Sequence, residues 1–158
     1  MPLVTLPVRK ARRYDADQLM QMCKILHAEN GQFGLSMRKV EGMVDKAFSN
    51  DGCIIGTVGP GDRIEGIIML LIAQFWYTED WCLEEIMNYV LPEHRRSTHA
   101  NDMIAFAKRC SDEIHIPLVI GVVSNERTKA KIELYRRQLG EPVGGYFMHK
   151  PAGLALPA

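Results

Sequence analysis

The sequence lacks several features that would narrow its function quickly. Lysine plus arginine equals aspartate plus glutamate at 19 each in 158 residues, so the formal net charge is zero. Proteins that bind nucleic acid through their overall charge carry a basic excess, so we do not expect a nucleic-acid partner. The four cysteines include no CxxC pair, which argues against zinc-ribbon and thioredoxin-like sites. The five histidines show no HExxH or other ligand spacing, and we predict no metal site.

Targeting and membrane signals are also missing. No charged-then-apolar leader opens the chain, and no apolar run reaches the length that crosses a bilayer. We therefore expect a cytoplasmic protein without a membrane partner, whose cysteines stay reduced and buried. With 47% apolar residues, the chain can form one domain with a real core. We assign residues 1–150 to that domain and residues 151–158 to a C-terminal tail.

Hydrophobic spacing predicts a mixture of strands and helices. Leu19, Met22, Cys23 and Leu26 recur at i, i+3, i+4 and i+7, which is typical of a helix with one buried stripe. Asp15 and Gln18 have capping-box spacing at its start, and Ser36 can cap a second helix. The predicted strands are 4–11, 53–58, 63–75, 81–90, 117–123 and 145–150, and further helices begin near residues 100 and 125. One mixed sheet with helices on both faces packs these elements.

The segment LPEHRRSTHAND, residues 91–102, joins a predicted strand to a predicted helix. A helix that begins after a strand directs unpaired backbone amides and the positive end of its dipole beyond the strand. Arg95 and Arg96 add guanidinium groups, while Ser97 and Thr98 add hydroxyl donors. The pattern predicts a phosphate or diphosphate site, and a plain helix cap with solvated arginines is the alternative.

The same junction resembles the pyrophosphate loop of the GNAT superfamily of N-acetyltransferases, which has the pattern V-x-P-x-x-R/Q-x-x-G-x-G/A. The matching positions here are Val90, Pro92, Arg95, Thr98 and Ala100. The element order is similar to that family to about Lys150, and residues 90–102 with 116–140 look most like members carried by bacteriophages and prophages. Thr98 replaces the middle loop glycine, and Arg96 replaces a common glycine. Glycine lets backbone approach phosphate closely, so these departures favour weaker cosubstrate binding.

The resemblance implies a fold and a cosubstrate. The fold is α/β (α+β), with a GNAT-like mixed, mostly antiparallel sheet of six to seven strands and about four helices on both faces. The cosubstrate is acetyl-CoA, leaving as coenzyme A, with an amine acceptor as the other partner. The strand ending at Val90 would bulge and part from the next strand, so that pantetheine pairs with its backbone. The implied binding residues are Tyr89, Val90, Leu91, Arg95, Arg96, Ser97, Thr98, His99, Ala100, Asn125 and Thr128.

The resemblance also implies a general acid. Tyr135 ends the family motif N-x-x-A-x-x-L-Y and would protonate the leaving thiolate. A phenol with a pKa of about 10 suits this role because it stays protonated at neutral pH. Thr128 and Lys131 stand where the motif has asparagine and alanine, and Asn125 lies one helical turn earlier as an alternative asparagine.

A glutamate is implied as the base that takes the proton of the amine. Glu84 and Glu85 are both candidates, and adjacent strand positions point to opposite faces. We favour Glu84 because regular alternation places it on the face of Ile86, Asn88 and Val90. The alternative is that both glutamates face solvent or are paired with other side chains.

The sequence thus predicts an acyl-CoA-dependent N-acetyltransferase whose acceptor it does not name. A protein of the same fold that binds coenzyme A or a host macromolecule without catalysis is the main alternative, and the missing loop glycine favours it. A plain nucleotide- or phosphate-binding domain is a third reading, although it lacks the glycines of GxGxxG and P-loop motifs. Dimers are frequent in the resembled family, so a homodimer is left open.

Overall fold

The structure is a computed structural model that describes residues 7–155. These residues form five strands and four α-helices. The strands are β1 (Arg9–Lys10), β2 (Cys53–Val58), β3 (Gly66–Ala73), β4 (Cys82–Val90) and β5 (Leu118–Ile120), and the helices are α1 (Ala16–Asn30), α2 (Met37–Phe48), α3 (His99–Ile114) and α4 (Thr128–Leu139). A 3-10 turn, Pro92–His94, joins β4 to the loop before α3. The predicted number of helices is confirmed.

The strands form one sheet in the order β1-β2-β3-β4-β5. Neighbours from β1 to β4 are antiparallel, and β4 pairs with β5 in parallel, so the predicted mixed and mostly antiparallel sheet is confirmed. The predicted six to seven strands are wrong for residues 7–155, which contain five. The segment 145–150 forms no strand because its backbone pairs with no neighbour. Of the predicted first strand, 4–11, only Arg9–Lys10 is paired, and residues 4–6 lie outside the described residues.

The first core lies between one face of the sheet and helices α1 and α2. Leu19, Met22 and Cys23 are buried there against strand residues such as Ile67, so the predicted helical stripe is confirmed. Residues of this size contribute roughly 1.5–3 kcal/mol each when fully buried. This packing fixes the end of α1 beside the end of β4, where the Glu29 side chain contacts Tyr89.

The second core lies on the opposite face, under α3. Met103, Ala107 and Cys110 of α3 are buried against Leu70 and Leu83. Helices therefore cover both faces, as predicted. All four cysteines are free and buried, which confirms the expected state of the thiols.

The predicted cap of α2 is confirmed, whereas the predicted cap of α1 is wrong. Ser36 caps α2 by accepting a hydrogen bond from the Lys39 amide at 3.4 Å. The capping box predicted for Asp15 and Gln18 is wrong. Asp15 is fully buried and accepts hydrogen bonds from the Arg9 guanidinium at 2.7 and 2.9 Å. Gln18 instead accepts from the Ile64 amide, because a long-range partner satisfies it better than its own helix start.

Candidate functional site

Strands β4 and β5 separate partway along β4. Their parallel pairing covers three positions and ends at Glu85 opposite Ile120. Beyond this point β4 continues to Val90 and is paired with β3 alone. The edge of β4 from Ile86 to Val90 therefore faces a wedge-shaped gap. The separation of these two strands, predicted from the family resemblance, is confirmed.

A one-residue bulge in β4 decides which glutamate faces this gap. Met69 pairs with Met87 and Leu70 pairs with Glu85, so Ile86 has no partner on β3. Side chains of a regular strand alternate between faces, and one extra residue reverses the alternation beyond it. The bulge therefore places Glu85 on the same face as Asn88 and Val90.

Glu84 consequently lies on the other face. It pairs with Leu71, which packs against the core under α1 and α2. The preference for Glu84 on the face of Asn88 and Val90 is wrong, because the alternation used to infer it is broken by the bulge. Glu85 is buried on the gap side.

A pocket of about 90 Å³ opens at the wedge, between the end of β4, the loop before α3 and one face of α4. It brings together six predicted site residues, among them Arg95, Ser97 and Tyr135. Its lining consists of Asn88, Tyr89, Val90, Arg95, Ser97, Ala100, Arg127, Lys131, Leu134 and Tyr135. A larger cavity of about 220 Å³ lies between β1, β2 and the end of α2 and contains none of the predicted site residues.

Arg95 is held at the mouth of the pocket by two elements. Its guanidinium donates to both Glu29 carboxylate oxygens at 2.7 and 2.8 Å and to the Val90 carbonyl at 3.1 Å. It also lies 5.3 Å from the centre of the Tyr89 ring. The Tyr89 hydroxyl donates to the same Glu29 carboxylate at 2.5 Å. Burial first, and the bond to Glu29 second, raise the pKa of Tyr89 to about 12.

The loop before α3 has its hydroxyls engaged and several amides open. The Ser97 hydroxyl donates to the His94 carbonyl at 2.6 Å, and the Thr98 hydroxyl donates to Asp102 at 2.7 Å. Within residues 7–155, the amides of Arg96, Thr98, Ala100 and Asn101 donate to no acceptor. Thr98 has φ −86°, a conformation open to any residue, so its replacement of the family glycine strains no backbone.

Arg96 and His99 occupy opposite environments. Arg96 is exposed to solvent beside the open amides. His99 is buried, and its Nε2 lies 2.7 Å from a Glu65 carboxylate oxygen. The His99 side chain therefore faces the interior, and its amide donates to the Ser97 hydroxyl at 3.2 Å. Both groups of His99 are thus engaged within the protein.

Glu65 braces the loop from the strand side. It is buried, and its side chain meets Arg63 and His94 as well as His99, at 2.5, 3.5 and 2.7 Å. Burial raises the pKa of this carboxyl, but the bonds from His99 and Arg63 outweigh it and leave the pKa lowered. The Glu65 carbonyl also accepts from the Leu91 amide at 2.9 Å, so that amide is not free for a ligand as predicted.

Three ionisable side chains influence one another electrostatically at the inner end of the wedge, where Lys131 and Tyr135 line the pocket and Glu85 is buried outside its lining. Burial raises the pKa of Glu85 to about 8, although the positive charge of Lys131 opposes this. Burial also raises the pKa of Tyr135, helped by the charge of Glu85 and partly offset by the Asn88 amide. Burial lowers the pKa of Lys131. Each group is therefore shifted toward its neutral form, as expected for a dry site.

Asn125 and Thr128 lie outside the pocket lining. The Asn125 side chain donates to the Glu29 carbonyl at 2.8 Å, and the Thr128 hydroxyl donates to the Ser124 carbonyl at 3.1 Å. These contacts fix the start of α4 against the end of α1. Both predicted binding residues therefore position the start of α4 and do not line the pocket.

Sequence reasoning did not assign five residues to the site. Asn88, Arg127, Lys131 and Leu134 line the pocket, and Glu29 holds Arg95. Arg127, Lys131 and Tyr135 are spaced at i, i+4 and i+8, so the helical period from Tyr135 could have identified Arg127. Glu29 carries no local signal, because its partner Arg95 is distant along the chain.

The described residues contain neither a cluster of metal ligands nor a membrane-spanning helix. Residues 7–155 contain no group of three or more histidine, cysteine, aspartate or glutamate side chains that could hold a metal ion. None of the helices in this range combines the length and the apolar character needed to cross a bilayer.

The fold is similar to solved structures, while no protein-family model and no curated protein matches the sequence. AAC(6')-Iy in complex with the bisubstrate analogue CoA-S-monomethyl-acetylneamine matches with a TM-score of 0.73 and 12% identity, over 94% of this chain and 99% of that one. A predicted acetyltransferase from Clostridium acetobutylicum with acetyl-CoA matches with a TM-score of 0.70 and 15% identity, over 97% and 96%. A possible acetyltransferase from Clostridium difficile 630 matches with a TM-score of 0.69 and 20% identity, over 98% and 100%. Identities this low show a shared fold and leave the reaction to be argued from the site.

Proposed function

We propose that this protein is an acyl-CoA-dependent N-acetyltransferase that moves the acetyl group of acetyl-CoA to a primary amine by direct attack. One observation carries the proposal. The edge of β4 that β5 leaves open meets the open amides at the start of α3 and the Tyr135 phenol around one pocket. The shared fold with structures that hold acetyl-CoA or a CoA analogue supports it.

The outer part of the pocket suits linked phosphates. Arg95 and Arg127 bring two cations to its lining, and the amides of Ala100 and Asn101 open beside them. Guanidinium groups and the amides of a helix start both favour phosphate oxygens. The free edge of β4 offers backbone groups with which the amides of pantetheine can pair like an added strand.

The chemistry uses two side chains at the inner end of the wedge. The neutral amine attacks the thioester carbonyl carbon, and the Glu85 carboxylate accepts the proton that the nitrogen loses. An N–C bond forms as the C–S bond breaks, and the sulfur leaves with the bonding electron pair. Tyr135 donates its proton to that sulfur. The raised pKa of Tyr135 keeps the phenol protonated at neutral pH, so it holds a proton that the leaving sulfur can take.

A specific contact favours a second candidate, a protein of this fold that binds coenzyme A or a host macromolecule without turnover. Arg95 donates to the Val90 carbonyl, which lies on the edge that pantetheine would use. Its ion pair with Glu29 holds it there. Binding of acetyl-CoA therefore requires Arg95 to exchange the Val90 carbonyl, and at least part of its contact with Glu29, for phosphate.

Calorimetric titration with acetyl-CoA tests binding. We expect saturable binding that Arg127→Ala weakens by about tenfold, since a charged hydrogen bond contributes about 1.5–3 kcal/mol. Lys46→Ala is the matched control, because it removes a cation from α2, outside the pocket. Absence of binding at millimolar acetyl-CoA contradicts the proposal.

Thiol release with a panel of amines separates the two candidates. For an enzyme, we expect Tyr135→Phe to lower kcat by about 10²–10⁴-fold, the usual contribution of a general acid, while the dissociation constant of acetyl-CoA changes little. Acetyl-CoA that binds without turnover on any amine favours the non-catalytic candidate.

A further inference from the structure

Lys131 is a lysine inside the pocket, one helical turn before Tyr135. Arg127, Lys131 and Tyr135 lie along the same face of α4, and Asn88 lines the pocket from β4. Among the ion pairs and hydrogen bonds of residues 7–155, none involves the Lys131 ammonium. An amine without a partner therefore lies at the place where the proposed reaction needs an amine.

Charges from four elements surround this amine. Glu85 on β4 and Glu29 on α1 attract the ammonium form, while Arg127 on α4 and Arg95 in the loop before α3 repel it. Burial is the largest influence, and together with the two arginines it lowers the pKa of Lys131. Lys131 therefore loses its proton more readily than an exposed lysine, and only the neutral amine is a nucleophile.

We propose that Lys131 is a self-acetylation site, which accepts the acetyl group of acetyl-CoA bound in its own pocket. This inference rests on the proposed function. The Lys131 Nζ lone pair forms a bond to the thioester carbonyl carbon, and the C–S bond breaks. Glu85 takes the proton released by the nitrogen, and Tyr135 gives its proton to the sulfur. The products are one acetamide on Lys131 and one free thiol of coenzyme A.

The modification changes the pocket permanently. An acetylated lysine is neutral, so the cation that faces Glu85 disappears, and the added acetyl group occupies part of a cavity of about 90 Å³. Each chain can react in this way once. The structure therefore assigns to the protein a stoichiometric acetyl uptake that needs no added acceptor and ends by itself.

Mass spectrometry of the full chain tests the inference. After incubation with acetyl-CoA and no added amine, we expect one acetyl group per chain on Lys131 and one equivalent of free thiol. Lys129 is the matched internal control, because it lies on the same helix but is exposed. We expect acetylation at Lys131 to be at least about tenfold faster than at Lys129, because only Lys131 lines the pocket that holds the thioester.

Variants and binding data separate the possible failures. Lys131→Arg keeps the charge but removes the acceptor, and we expect it to abolish the thiol burst, whereas Lys129→Arg leaves the burst unchanged. If calorimetry shows acetyl-CoA bound while Lys131 stays unmodified, this inference is wrong and the proposed function survives. Equal acetylation of Lys129 and Lys131 also overturns it, since that pattern is uncatalysed solution chemistry. If acetyl-CoA does not bind, both proposals fall.

Discussion

At the scale of single residues, the face on which a glutamate lies determines the base that the site contains. Glu85 is buried on the gap side of β4, with Lys131 and Tyr135 nearby. Burial raises its pKa to about 8, so the carboxyl is mostly protonated at neutral pH and becomes a base above it. A base that ionises in this range must leave a trace in the pH dependence of the rate.

From the proposed function, we predict that kcat/KM of the native protein rises with pH through about 8, as Glu85 loses its proton. Glu85→Gln cannot ionise, so this rise should disappear and kcat/KM above pH 8 should fall by about 10²–10⁴-fold. Glu84→Gln removes the neighbouring carboxyl from the other face and should keep the rise. The rate of thiol release at steady state is measured for all three proteins with the same amine. The ionisation of the amine then affects each protein equally and cannot account for a difference between them.

The same raised pKa gives an independent check through stability. A carboxyl whose pKa is raised by folding stabilises the protein below its unfolded value, and this contribution is lost as pH rises through about 8. Glu85→Gln should therefore resist urea better than the native chain at pH 9, with the difference shrinking toward pH 5. A Glu85→Gln variant with the native rate profile and the native stability profile would remove Glu85 from the site.

At the scale of elements, the start of α3 is held in place by a carboxylate on the preceding hairpin. Glu65 immediately precedes β3, and its side chain reaches His99 at the first position of α3. Its backbone carbonyl holds the Leu91 amide at the end of β4. The open amides of the loop are thus positioned by a residue that lies far from them in sequence.

We predict that Glu65→Gln destabilises the fold by about 1–3 kcal/mol at pH 7, because it weakens a buried charged hydrogen bond. The pKa of Glu65 is lowered, so its contribution is present above its ordinary value of 4.5 and is lost as pH falls below it. The difference from the native chain in urea unfolding should shrink at low pH. Glu133→Gln breaks an exposed ion pair with Arg136 and should change little. If the two substitutions lower the free energy of unfolding equally, Glu65 does not hold the start of α3 as inferred.

Elements were predicted well where one local period decides them. The stripe of Leu19, Met22 and Cys23 identified α1, because burial of one helix face follows directly from spacing. The strand-to-helix junction and Tyr135 were found in the same way, from motifs that are local in sequence. The separation of β4 from β5 came from the resemblance alone.

Elements were predicted poorly where pairing with a distant segment decides them. The bulge at Ile86 shifts the register of β4 against β3, and the local sequence EEIMN contains no signal for it. The faces on which Glu84 and Glu85 lie were therefore predicted the wrong way round. The pair of Glu29 and Arg95 joins α1 to the loop before α3 and is equally invisible from spacing. The strand predicted at 145–150 has a suitable composition but no partner within residues 7–155, and a strand without a partner does not form.

At the scale of the whole molecule, one side of the sheet remains open. β5 pairs with β4 on one edge, and the described part of the chain supplies no strand for its other edge. The segment that follows α4 has no regular secondary structure through residue 150 and exposes large apolar side chains, including Val143, Tyr146 and Phe147. An unpaired edge and an exposed apolar segment are both costly in a monomer. A second copy of the chain offers each of them a partner.

We therefore predict a homodimer in which the segment 141–150 of each chain packs along β5 of the other. A two-fold axis makes this contact close on itself, because each chain gives one segment and receives one. Sedimentation velocity should show a monomer–dimer equilibrium that shifts with concentration, and the double variant V143E/F147E should remain monomeric. Trp76→Glu is the control, because Trp76 is equally exposed but lies in the turn between β3 and β4. A native chain that stays monomeric at all concentrations, or a Trp76→Glu variant that also dissociates, would contradict this arrangement. Either result would leave the apolar segment to fold against β5 of its own chain.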